Sequence, residues 1–172
     1  MRNFAALLIL VFTSFPSHAS ETIEKYVPNA QIVGEGRLTV FTFDIYDARL
    51  YAPNGTFLNQ PPFAIELSYL RNIDGKKIAD QSAEEMRNLH TVNEIKLADW
   101  HTQMRQIFPD VTAGDSITGI YTHSDQCHFY KGPQNIGHIN DAQFCSLFFD
   151  IWLSEETRSP ILRKKLLGEL KR

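Results

Sequence analysis

Residues 141–153 restrict the fold more than any other stretch of the chain. Phe144, Cys145, Phe148, Phe149, Trp152 and Leu153 recur at helical spacing behind a cap at Asn140 or Asp141. On a helix they merge into one broad apolar stripe, and such a stripe serves as core more often than as a ligand box. The stripe must be covered, so the chain needs a second layer able to receive it.

Strand-forming runs supply that layer. Residues 30–52 are rich in β-branched and aromatic side chains: Ile32-Val33, then Leu38 to Phe43, then Ile45-Tyr46 through Leu50-Tyr51. Pro53-Asn54-Gly55 signals a turn, and Phe63 to Leu70 alternates with period two. Further strands are predicted at 117–121, 127–130 and 135–139, the last two joined through Gly132-Pro133. Between the two strand groups the chain is helical from Ser82 to about Leu89. A second helix follows a cap at Asn93, with Leu97, Trp100, Met104 and Ile107 on one face until Pro109 stops it. Ser159-Pro160 opens a last helix, with Gly168 as its C-terminal cap. This order predicts an α+β fold, a large and mostly antiparallel sheet with helices on one face.

The first residues read as an address. Arg2 is the positive start, Ala5 to Phe12 are unbroken apolar, and Pro16 precedes the small residues of Ser17-His18-Ala19. The apolar run is well short of the roughly 20 residues that span a bilayer. Residues 1–19 are therefore expected to be a cleaved signal peptide and 20–172 a single domain, periplasmic or secreted, with no integral membrane segment after cleavage. The formal net charge of -3 gives no electrostatic footprint for nucleic acid or an anionic membrane. Arg163-Lys164-Lys165 and Lys171-Arg172 read as the solvated basic end of the last helix. Cys127 and Cys145 are the only cysteines. Export permits a disulfide between them, and either can equally be a small buried hydrophobe.

No phosphate loop, nucleophile elbow or HExxH pattern is present, and the histidines, His123, His128 and His138 included, fit no metal spacing. The expectation is no cofactor and no metal. Arg37 is the polar residue that stands out, lying between glycines and an apolar strand. It reads either as an edge-strand surface arginine or as a guanidinium at the mouth of an apolar pocket, where its fork would pair with a carboxylate or enolate. Tyr46 or Tyr51 could supply a phenolic partner.

Several segments, in order, carry a family resemblance. Val33-Gly34-Glu35-Gly36-Arg37 and Phe43-Asp44-Ile45-Tyr46-Asp47-Ala48-Arg49-Leu50-Tyr51-Ala52-Pro53 resemble the opening signature of bacterial chalcone isomerase-like proteins. Gly75-Lys76-Lys77-Ile78-Ala79 with Ser82-Ala83-Glu84-Glu85-Met86 is similar to a helical segment of that family. So are Phe108-Pro109-Asp110-Val111, Ala113-Gly114-Asp115, Ile151-Trp152-Leu153 and Leu166-Leu167-Gly168. The resemblance implies an open-faced sandwich with a cleft between sheet and helices.

Plant members of the fold close a flavanone ring by adding a phenolate to an enone, using an arginine, a threonine, a tyrosine and an asparagine. By resemblance, Arg37 matches the arginine, Tyr46 stands at the threonine, Met86 at the tyrosine, Asn93 at the asparagine and Ile151 at a further hydroxyl-bearing position. Without the threonine and tyrosine, the groups that polarise the enone carbonyl are lost. Other relatives bind fatty acids without chemistry through an arginine and a tyrosine, a role that suits Arg37 with Tyr46. The expectation is a non-catalytic binder of a fatty-acid-like or aromatic acid, with Arg37, Tyr46 and Asn93 at the ligand. An isomerase or lyase acting on an enone and an envelope scaffold are the alternatives.

Overall fold

The computed structural model describes residues 21–170; the leader at 1–19 and the expected mature start at Ser20 lie outside the described residues. Six strands form one sheet in sequence order: β1 (Ala30–Val40), β2 (Phe43–Pro53), β3 (Phe63–Tyr69), β4 (Ser116–Tyr121), β5 (Cys127–Lys131) and β6 (Gln134–Ile139). Every neighbouring pair is antiparallel. The helices are α1 (Glu21–Glu24), α2 (Gly75–Leu89), α3 (Glu94–Ile107), α4 (Ala142–Leu153) and α5 (Pro160–Leu166). The fold is α+β, an open antiparallel sheet layered with helices.

Side-chain alternation divides the sheet into two faces. Ala48, Leu50, Ala52, Phe63, Ile65 and Leu67 join the aromatic stripe of α4 and the buried faces of α2, α3 and α5 in the main core. Phe149 of α4 meets Phe63 edge-on with centroids 4.9 Å apart, the geometry aromatic pairs prefer. The opposite face holds a smaller cluster in which Ile23 and Val27 cover Tyr51, Ala64, Ile120 and Tyr130. α1 thus lies on the side that the sequence pattern had left bare.

Local signals explain most helix starts. Asn93 Oδ1 accepts from the backbone N–H groups of Ile95 and Lys96 at 3.0 and 3.2 Å. Asp141 Oδ1 does the same for Gln143 and Phe144 at 2.9 and 3.2 Å. Each satisfies N–H groups that the helix cannot. Cys127 on β5 and Cys145 in the first turn of α4 are joined as a disulfide, with Cα atoms 5.7 Å apart.

Two stretches differ from the sequence pattern. The run Leu38 to Phe43, which reads as one strand, is broken by a hairpin turn at Phe41-Thr42 that pairs Val40 with Phe43. And α2 begins at Gly75 instead of Ser82, because the Asp110 carboxylate accepts from the Gly75 N–H at 2.8 Å.

Candidate functional site

The sequence Gly34-Glu35-Gly36-Arg37 lies on edge strand β1, where alternate residues face opposite ways. Gly34 and Gly36 face the helices. A methyl group at position 34 would strike the carbonyl oxygens of Lys165 and Leu166, so the missing side chain is what lets α5 lie directly on β1. Glu35 and Arg37 point the other way, into rows of ion pairs.

Arg37 stands opposite Asp47 in the β1–β2 register. Its Nε and NH2 donate to the two oxygens of Asp47 at 2.7 and 2.9 Å, and NH1 donates to Asp44 Oδ2 at 2.8 Å. These carboxylates raise the guanidinium pKa above its ordinary value, the Asp47 hydrogen bonds contributing most. The fork is already filled on both sides, and the side chain is 47% exposed. This is the edge-strand arginine of the two sequence readings.

Tyr46 lies opposite Leu38 and faces the helices. Its hydroxyl accepts from Trp152 Nε1 at 2.9 Å, and burial pushes its pKa up to about 12. Arg37 and Tyr46 therefore occupy opposite faces of the sheet and do not converge. Asn93 is engaged as the α3 cap. Met86 is fully buried in the main core, and Ile151 packs at its margin. The residues that the resemblance assigns to one cleft are brought to separate places.

A cleft of about 800 Å³ opens elsewhere, between the β2–β3 connection, the end of α4 and α5. Val33, Phe57, Leu153 and Leu167 give it an apolar wall, and Arg163, Asp150, Glu155 and Glu169 give it a polar end. Arg163 is the cation of this site. Its Nε donates to the Leu153 carbonyl at 2.8 Å, which fixes the guanidinium, and only 19% of the side chain is exposed. Its terminal nitrogens stand 3.9 Å from Glu155 and Glu169, outside hydrogen-bond reach. Those two carboxylates are well exposed, so the solvated acids are free to move aside for another anion.

Asp150, in the same wall, has its Oδ2 3.0 Å from His90 Nε2. The imidazole nitrogen is buried, and its approach is close without being aligned as a hydrogen bond. Burial raises the Asp150 carboxyl above its ordinary value, while His90 opposes the rise. Arg163 reads as part of a basic tail in the sequence. Its signal is positional: it lies four residues before Leu167 and between Leu162 and Leu166, so it borders the apolar face of α5. Among the described residues, no group of three or more His, Cys, Asp or Glu could hold a metal ion.

Comparison with known proteins fits this architecture. A solved structure of an Arabidopsis thaliana fatty-acid binding protein, AtFAP1, superposes with a TM-score of 0.63 at 11% identity, covering 83% of this chain and 88% of that one. At that identity the likeness speaks for the fold. No curated protein matches the chain. The model of the family described as chalcone isomerase-like matches residues 21–168, nearly the whole of the described structure. The chain belongs to the chalcone isomerase-like family.

Proposed function

We propose that the chain is a non-catalytic binder of a small acidic, apolar molecule such as a fatty acid or an aromatic acid. The ligand carboxylate sits on Arg163, and its apolar body runs along Val33, Phe57 and Leu167. One observation carries this reading: Arg163 is pinned through Nε while its terminal nitrogens face the cleft without a hydrogen-bond partner among the described residues. A carboxylate accepts from such a guanidinium in the two-pronged geometry that makes these bonds strong. The related fold of a fatty-acid binding protein supports the ligand class. Dispersal of Arg37, Tyr46 and Asn93 to separate sites argues against an enone isomerase built on them. The exported state, with residues 1–19 removed, is part of the same proposal.

Native mass spectrometry of the purified chain should show a bound acid, and palmitate or cinnamate should raise its melting temperature. Arg163→Ala should lose that shift, Arg163→Lys should keep a fraction of it, and Arg37→Ala should keep all of it. An empty protein with no shift across such acids would overturn the proposal, as would an unchanged shift in Arg163→Ala.

A further inference from the structure

The last turn of α4 gathers charge that its own helix does not balance. No basic residue lies in that turn, and a helix C-terminus carries partial negative charge that favours cations. Asp150 belongs to the turn and lines the cleft together with Arg163. Glu155 and Glu169 line it too, so one cation faces three acids and the lining holds an excess of two negative charges. His90, which reaches Asp150 from the end of α2, adds at most one positive charge and leaves the balance acidic.

Asp150 is the acid that decides what enters. Its side chain is 31% exposed, against 90% for Glu155 and 49% for Glu169, so water screens it least. Burial already raises its carboxyl above the ordinary value, while His90 opposes the rise. Beyond the close approach of His90, its carboxylate accepts no hydrogen bond among the described residues. A lone carboxylate brought to Arg163 would add a like charge to this wall. An ammonium carried by the same molecule offsets that penalty and gives Asp150 a charge-assisted donor.

The spacing of the two groups sets where that ammonium lies. Arg163 is tied to the Leu153 carbonyl, three residues beyond Asp150, so along α4 the two anchors are about 4.5 Å apart. Arg163 and Asp150 do not touch: the carboxylates within ion-pair distance of Arg163 are those of Glu155 and Glu169. A carboxylate and an amine on the neighbouring carbon can bridge such a gap with a hydrogen bond at each end. The apolar wall of Val33, Phe57 and Leu167 is left for the rest of the molecule.

We infer, resting on the acid binding proposed above for Arg163, that the ligand is a zwitterion: an α-amino acid with a large apolar side chain, its carboxylate on Arg163 and its ammonium on Asp150. The class of ligand is thereby narrowed from acids in general to acids that bring their own cation.

The test is isothermal titration calorimetry of the purified chain with three compounds of one skeleton. These are L-phenylalanine, 3-phenylpropionate, which lacks the ammonium, and phenethylamine, which lacks the carboxylate. L-Phenylalanine should bind about tenfold more tightly than either of the others. Asp150→Asn should erase its advantage over 3-phenylpropionate, and Arg163→Ala its advantage over phenethylamine. The ranking in the parent chain needs no variant, so it decides the matter even where Asp150→Asn fails to fold. 3-Phenylpropionate binding as tightly as L-phenylalanine would overturn the inference and leave acid binding at Arg163 standing. Phenethylamine binding as tightly would also overturn it, as would an advantage over 3-phenylpropionate that survives Asp150→Asn. No binding of L-phenylalanine would overturn it too, and acid binding at Arg163 falls with it only if 3-phenylpropionate and palmitate fail as well.

Discussion

The Tyr46 hydroxyl accepts a hydrogen bond from Trp152 Nε1 at 2.9 Å, joining the sheet to α4 across a separation of 106 residues. Trp152 is buried in the main core, so its N–H has little access to water. Tyr46→Phe keeps the ring and removes the acceptor. The expected cost is about 1–3 kcal/mol, the desolvation of an unpaired donor. Urea unfolding of Tyr46→Phe, of Trp152→Phe and of the pair should show a double-variant loss smaller than the sum of the singles.

The seating of α5 gives a second prediction. Gly34→Ala adds one methyl group against the Lys165 and Leu166 carbonyls, which are backbone and cannot swing away. Overpacking of this kind costs about 1–3 kcal/mol. Because α5 carries Arg163, acid binding at the cleft should weaken with stability. Thermal melts with and without palmitate will show both effects together.

The Cys127–Cys145 bridge closes a loop of sequence separation 18 between β5 and α4. Loop-closure entropy assigns it about 3 kcal/mol. Replacing both cysteines with alanine should lower the melting temperature, and dithiothreitol should then have no further effect. A reductant-insensitive parent chain would show that the bridge does not form.

Alkaline pH should loosen the fold. Burial pushes Tyr46 and Tyr51 from 10 up to about 12, and Tyr69 rises by burial and then by its neighbour Tyr46. The folded state therefore holds phenolic protons that the unfolded chain releases. Their stabilisation is complete below pH 10 and is lost as pH climbs from 10 toward 12. Urea midpoints across that window should fall, and Tyr51→Phe should flatten the decline.

Much of the fold is legible in the sequence because it is local. The α4 stripe, the Asn93 cap and the Ser159-Pro160 start each act within a turn or two of their own position. Gly168, with φ 71°, ends α5 as its lack of a side chain allows. The start of α2 is not legible, because its first N–H is satisfied by Asp110, 35 residues later. The turn at Phe41-Thr42 escapes notice because neither residue is glycine, asparagine, aspartate or proline.

The site is less legible for a related reason. Period two puts Gly34 and Gly36 on one face and Glu35 and Arg37 on the other, but only the seat of α5 decides which face is covered. Arg37 thereby goes to the ion pairs of the open face. Arg163 gains its place from the same event, through a backbone carbonyl of α4. Both assignments rest on tertiary packing, and no window along the chain contains it.

The open face has a consequence for life at high concentration. β1 is a long edge strand, the kind of template on which another molecule could add its own strand. Its register breaks near Val33 and again between Leu38 and Thr39. Arg37 is locked to Asp47 and Arg49 to Glu35 across the first strand pair. The far edge, β6, has an irregularity of its own opposite Phe129 and Tyr130. A strand arriving from a neighbour meets a kinked and charged border at β1 and a kinked one at β6, so growth into a fibril has no flat edge from which to start.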